Sequence, residues 1–162
     1  MLGVQFVDSD SEIEAAAGMC IPEIFESLGE AAFRDGERRV ICRLLKGGSG
    51  IIATGGGAFM DPATRSEIAD ASTSVWLRAD LDLLWDRVRD RPGRPLLDTA
   101  DPRAVLESLD AARAPVYGLA DVTVDSIPGA THEAMARRIV GAVRAFDRSR
   151  PEGPSTLGVS DI

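Results

Sequence analysis

At 162 residues, 44% of them apolar, the chain fits one domain by length and carries enough apolar material for a real core. A formal net charge of −8 argues against general nucleic-acid binding. A single histidine, His132, excludes a multi-histidine metal site, and no apolar run approaches the length of a membrane span. The first residues show no basic region followed by an apolar stretch, so no signal peptide is visible. Cys20 and Cys42 stand outside any C-x-x-C spacing and read as free thiols of a reducing cytosol. There is no internal repeat.

In chain order, Val4 to Val7 reads as a short strand ending in Asp8-Ser9-Asp10. A helix through Ala17 follows, stopped by Gly18. Pro22 suits the first turn of the next helix, with Ile24, Phe25 and Leu28 inward. A longer helix spans about Gly29 to Lys46, its apolar face formed by Phe33, Val40, Ile41, Leu44 and Leu45 at 3.6-residue spacing. Ile51 to Thr54 and Ser74 to Leu77 read as strands, with no element assigned between them. Asp80 caps a helix bearing Leu81, Leu84 and Val88 on one face. Arg89 to Thr99 is loop-like, and Asp101-Pro102 opens a helix reaching about Ala114. Val122 to Val124 is a strand, and Thr131 begins a last helix with Met135, Ile139, Val143 and Phe146 inward. Residues 1–146 form the domain; 147–162, rich in Pro, Gly and Ser, read as a disordered tail.

Strands separated by helices of ten or more residues imply parallel βαβ connections, hence an α/β fold with a three-layer parallel sheet. Ligands of such sheets bind beyond the carboxyl ends of the strands. Asp8, Asp10 and the triplet Gly55-Gly56-Gly57 all fall there.

Each motif has an ordinary reading beside the functional one. Asp8 and Asp10 sit at alternate positions after a strand, so an extended segment would point both carboxylates one way. Such a pair can hold a hydrated Mg²⁺ and accept a proton from a hydroxyl; the ordinary reading is a helix cap plus a solvated acid. Three glycines after a β-branched strand allow close approach to a ligand and offer bare N–H groups; otherwise they are a flexible turn. Arg34 lies at the edge of the buried face, with Glu37 three positions on to orient it as a carboxylate clamp; alone, the pair reads as a surface ion pair. Arg87, Arg89, Arg91 and Arg94 place four cations within eight residues of an acidic chain, which suits polyphosphate under a closing loop or a solvated charge run tempered by Asp86 and Asp90. Arg113 near a helix C-terminus is ordinary by itself, Trp76 and Trp85 read as packing, and His132 as a first-turn surface residue.

Taken together, the motifs resemble shikimate kinase. The matching pieces, in family order, are Phe6-Val7-Asp8-Ser9-Asp10 with Glu12-Ile13-Glu14; Ile24-Phe25 with Gly29-Glu30; Phe33-Arg34 with Glu37; T-G-G-G-A from Thr54 to Ala58; Arg94-Pro95-Leu96-Leu97; and Arg113-Ala114-Pro115-Val116-Tyr117. The resemblance covers about residues 4 to 146 and implies a fold of the P-loop nucleoside-monophosphate and shikimate kinase type. It implies a monomeric cytoplasmic enzyme of chorismate and aromatic amino-acid biosynthesis, with ATP as co-substrate, that phosphorylates the 3-hydroxyl of shikimate. By resemblance Asp10 binds that hydroxyl and is the base, and Asp8 supports Mg²⁺ through water. Arg34 and Arg113 clamp the carboxylate, while backbone at Gly55, Gly56 and Gly57 meets ring hydroxyls. Arg94 reaches the transferring phosphate and Arg87 lies near the adenine. A related sugar-acid kinase, such as gluconate kinase, is the neighbouring alternative; the arginine pair and R-P-L-L favour shikimate.

One departure stands out. No G-x-x-x-x-G-K-[ST] occurs, and the only lysine is Lys46. The family's first strand, P-loop and first helix, roughly 25–35 residues, have no counterpart. The expectation is a shikimate kinase whose N-terminus has been cut, most simply by a start codon placed too late, folding poorly and inactive alone. The other readings are a non-catalytic shikimate-binding domain and half of a split kinase.

Overall fold

Four short strands and six helices follow one another along the residues that the computed structural model describes, 3–48, 50–89 and 99–150. They group into two compact units, Met1–Ser72 and Thr73–Ile162.

The first unit opens with β1 (Gln5–Asp8), which pairs in parallel with β2 (Gly50–Ala53) in the register Phe6 to Ile51 and Val7 to Ile52. Between them run α1 (Ser9–Ala17) and α2 (Ile21–Lys46). Asp8 caps α1, its side chain accepting from Asp10 N, and Gly18 ends it in the left-handed conformation at φ 66°. Pro22 sits in the first turn of α2, where a missing N–H costs nothing.

The two helices expected around Gly29 form one kinked element. Gly29 has φ 81° and ψ 170°, which only glycine adopts readily, so the chain bends there without leaving the helical path for long. The bend lets Ile24 and Phe33 join Ile13 and Val40 in one core cluster, edged by Met19, Ile21 and Leu44. Phe25 and Leu28, expected inside, are 37% and 56% exposed, and Ile24 alone of the three is buried.

The segment left blank in the sequence reading is ordered. A 3₁₀ turn (Ala58–Met60) follows the glycines, and α3 (Pro62–Ala71) begins at Asp61, which accepts from Ala63 N and Thr64 N. Ile41, Ala58 and Ile68 bury together with Leu45 and Phe59 at their margin, so α2 is packed on one side by α1 and on the other by α3.

The second unit repeats the parallel pairing, β3 (Val75–Arg78) with β4 (Val122–Asp125). Ser74 and Asp121 lock its start: Ser74 Oγ donates to Asp121 Oδ2 at 2.6 Å and accepts from Asp121 N at 3.0 Å. Its helices are α4 (Leu81–Val88), α5 (Pro102–Tyr117) and α6 (His132–Ser149), capped by Asp80, Asp101 and Thr131 as expected. Val88, Val122, Val124 and Val143 are buried, and Trp76 packs its ring 5.9 Å from that of Tyr117. Two expectations shift here. Helix α5 continues through Pro115 to Tyr117, and α6 runs through Ser149, past the boundary drawn at residue 147. No described helix is long and apolar enough to cross a membrane.

Replacing Gly29 by Ala forces an L-residue into a glycine backbone conformation. We expect it to lower unfolding free energy by about 1–3 kcal/mol in a denaturant titration. An unchanged midpoint would show that the bend tolerates a side chain.

Candidate active site

The residues expected to act together from the first unit do converge. Their anchor is Glu37, one turn after Phe33 on the core face of α2 and only 3% exposed. A carboxylate buried among Phe33, Val40 and Ile41 needs a partner. It has one: Arg34 Nη1 donates to Glu37 Oε2 at 2.7 Å, the i,i+3 contact anticipated from the sequence. On its other edge Arg34 Nη2 lies 3.5 Å from Glu30 Oε1, and the guanidinium sits 5.0 Å from the Phe33 ring centre. Three neighbours thus fix the arginine fork.

The glycine triplet closes over this arrangement. A β-carbon at Gly57 would lie 2.6 Å from Arg34 Cζ, inside any permissible contact. One at Gly55 would lie 3.1 Å from Asp10 Oδ1 and 3.7 Å from Glu37 Oε1. A side chain at Gly57 would have to displace the Arg34 guanidinium, and one at Gly55 would crowd the Asp10 carboxylate. The loop is a tight turn, with Ala58 N bonded to Gly55 O and Met60 N to Gly57 O.

Asp8 and Asp10 do not share an extended segment. Helix α1 starts at Ser9, so Asp8 is its N-cap and Asp10 its second residue, with Asp10 N donating to Asp8 Oδ1 at 2.9 Å. The ordinary reading of Asp8 as a cap holds, and the two carboxylates still influence one another. Burial, then the charges of Asp8 and Glu14, raise the Asp10 carboxyl above the usual carboxylate range, against the lowering effects of Ser9 and Arg34. Burial likewise raises Glu37; Arg34 pulls it down, and Asp10 and Asp61 add to the rise. Ser9 is wholly buried beside Asp10, yet its Oγ makes no hydrogen bond of good geometry among the described residues.

Asp8 fits outer-sphere support of a metal: one oxygen caps α1 and the carboxylate is exposed to water. No group of three His, Cys, Asp or Glu side chains that would hold an ion directly occurs among the described residues. Magnesium bound mainly by water and substrate phosphates needs no such cage.

The remaining expected residues lie in the second unit. Arg87 is exposed in the last turn of α4. Arg113 is half-buried four residues before the end of α5 rather than at it, and forms no ion pair among the described residues. Arg94 lies outside the described residues.

Sequence reasoning missed the brace around the loop. Asp61 accepts from Thr64 Oγ1 at 2.7 Å, and Arg65 Nη1 donates to the carbonyls of Phe59 and Met60 at 2.7 and 2.8 Å. The signal was present: Asp61-Pro62 repeats the cap and first-turn pair read correctly at Asp101-Pro102. It also placed Phe25 in the core, whereas its ring is 37% exposed and stands 4.5 Å from that of Phe33.

A parallel α/β frame with an acidic side chain, a fixed arginine fork and a close-packed glycine turn beyond its strands is that of a small-molecule phosphotransferase. Comparison with known proteins makes this specific. A family model described as shikimate kinase matches residues 1–144. The chain is 55% identical over 142 residues to a shikimate kinase of Ruegeria pomeroyi, covering 88% of this chain and 73% of that one. It is 53% identical over 146 residues to that of Bradyrhizobium diazoefficiens, covering 89% and 69%. Among solved structures, shikimate kinase from Acinetobacter baumannii in complex with shikimate superposes with a TM-score of 0.81 at 33% identity, over 88% of this chain and 80% of that one. The enzyme from Aquifex aeolicus gives 0.73 at 27% identity, over 94% and 86%. The chain belongs to the shikimate kinase family, and its fold is that of the P-loop kinases.

The raised Asp10 has a thermodynamic consequence. A carboxyl whose folded pKa exceeds its unfolded one makes the folded state the tighter proton binder, so its contribution to stability is full at low pH and falls as pH rises through the raised value. Asp10→Asn should therefore melt above the parent at neutral pH, with the difference closing towards about pH 4. A difference that grows on acidification, read from thermal melts across that range, would contradict the assignment.

Proposed function

We propose that this chain carries the acid-substrate half of shikimate phosphorylation and, in the complete reaction, transfers the γ-phosphoryl of ATP to the 3-hydroxyl of shikimate. The observation that carries this reading is the convergence of Asp10, Arg34, Gly55 and Gly57 around the buried Glu37. Binding of shikimate by the Acinetobacter baumannii relative supports it.

In this reading the fork of Arg34 takes the shikimate carboxylate, its remaining N–H groups aimed by Glu37 and Glu30. The site already holds three carboxylates against one arginine, so an incoming carboxylate needs a second cation; Arg113 has that role. The Gly56 backbone and its neighbours meet ring hydroxyls. Asp10 accepts the hydrogen of the 3-hydroxyl, and its raised proton affinity suits a general base. Arg94 and Arg87 serve the nucleotide. Asp8 would support a hydrated Mg²⁺, whose chemistry is to neutralise charge on the phosphate oxygens. Phosphoryl transfer asks the protein mainly for positioning and charge neutralisation, and the first unit supplies the positioning. The setting is a monomeric, cytoplasmic enzyme of chorismate biosynthesis.

A second reading is that the chain binds shikimate without turning over ATP, alone or as half of a split kinase.

Calorimetry with shikimate, beside a coupled ATP-turnover assay, tests both. Binding with turnover supports the first reading. Binding without turnover supports the second, and turnover restored by an added P-loop segment selects the split enzyme. No binding of shikimate sinks both. Within either reading, Arg34→Lys keeps the charge and loses the fork, and we expect shikimate to bind about 10–100-fold more weakly. Gly57→Ala should act in the same direction by displacing the guanidinium.

A further inference from the structure

Arg65 is a half-buried cation that the proposed reaction does not use. Among the described residues it forms no ion pair. Its Nη1 instead donates to two successive backbone carbonyls, Phe59 at 2.7 Å and Met60 at 2.8 Å, and its guanidinium lies 6.0 Å from the Phe59 ring centre. A guanidinium spent on carbonyls that water could otherwise serve invites the question of what those carbonyls hold in place.

The answer lies one turn back along the chain. Phe59 and Met60 are the last residues of the 3₁₀ turn that closes the glycine loop. Met60 N is bonded to Gly57 O, and Ala58, 1% exposed, is plugged into the cluster with Ile41 and Ile68. The far end is set by α3, where Asp61 accepts from Thr64 Oγ1 and Arg65 N donates to Asp61 O. The turn is thus held from below by Ala58 and from beyond by Arg65. Its free side is Gly57, which rests on the Arg34 guanidinium with no room for a β-carbon. A shift of the turn therefore changes the space left beside the Arg34 guanidinium, which Glu37 and Glu30 hold from its other edges.

We propose that Arg65 is a positioning residue for the carboxylate fork. By holding the Phe59 and Met60 carbonyls it fixes Gly57, and Gly57 limits the directions in which Arg34 can present its remaining donors. Arg65 touches neither substrate nor reacting atoms. The inference rests on the reading of Arg34 as the shikimate carboxylate clamp.

The test is a double-mutant cycle on the full chain, read as the dissociation constant for shikimate with folding checked by circular dichroism. Arg65→Gln should weaken binding about tenfold in the parent, the loss expected for one misplaced charge-assisted contact. In an Arg34→Lys background, where there is no fork to misplace, it should add less than about twofold. Arg65→Lys, able to donate to both carbonyls from one ammonium, should stay within about threefold of the parent. A purely structural role predicts something else: a lower melting temperature with equal losses in both backgrounds, and that result overturns the proposal. Arg65→Gln binding like the parent also overturns it. If Arg65→Gln fails to fold, Arg65→Met, which keeps the length of the side chain and lacks its donors, reads the same coupling alone and with Arg34→Lys, and additivity there is the overturning result. A parent chain that takes no shikimate overturns the substrate assignment and this inference together; a parent that binds while the Arg65 variants behave additively overturns this inference alone.

Discussion

The buried carboxylate of Glu37 is the constraint around which the first unit is arranged. It occupies a core position of α2, between Phe33 and Ile41, where sequence periodicity calls for an apolar residue. Charge in that position is costly unless it is paired, so Arg34 must lie where it does, one turn away and bonded at 2.7 Å. The rest follows sterically. A guanidinium fixed there leaves no volume for a side chain at Gly57, and the Asp10 and Glu37 carboxyl groups leave little at Gly55. A Leu at position 37 would remove the buried charge and, with it, the 2.7 Å bond that orients the arginine. The ion pair thus gives the arginine a fixed direction.

The same crowding accounts for the electrostatics. Asp10, Glu30 and Glu37 surround one arginine whose side chain is 34% exposed. Solvent screens the outer part of that cluster, whereas Glu37 is sheltered from it. The helix N-terminus favours an ionised Asp10, but burial and the charges of Asp8 and Glu14 weigh more, so the carboxyl stays proton-hungry. Within the proposed reaction, a group in that state would suit the acceptor of the substrate hydroxyl's hydrogen. A solvated acid of ordinary proton affinity has less driving force to accept it.

Much of this was legible in the sequence, because the signals were local. The caps Asp8, Asp80, Asp101 and Thr131, the stop at Gly18 and the strands to within a residue depend on nearest neighbours along the chain. So does the Arg34–Glu37 pair, whose spacing of three puts both on one helix face. The failures share a cause. The inward face assigned to Phe25 and Leu28 was read from a short helix treated by itself, whereas of that stretch only Ile24 reaches the core. The D-x-D geometry assumed an extended segment, whereas the cap at Asp8 starts the helix a residue early. Helix α3 and the hold of Arg65 on the 3₁₀ turn were readable only in part. Asp61-Pro62 announces the helix, but which carbonyls Arg65 reaches depends on how the loop folds back.

The residue type of the triple glycine has a steric reason that the sequence does not display. In sequence, three glycines after a strand suggest a backbone that bends freely or that comes close to a ligand. Neither Gly55 nor Gly57 adopts a positive φ, so left-handed backbone is not what selects glycine here. What excludes a β-carbon is the protein itself: the Arg34 guanidinium at one position and the Asp10 carboxylate at the other. The loop is held, not loose. Its ends are bonded through Gly55 O and Gly57 O, and Ala58 is buried beneath it. A turn clamped in this way has little backbone motion left to lose. That pre-organisation is worth more to a kinase than flexibility, because positioning is most of what phosphoryl transfer requires of the protein.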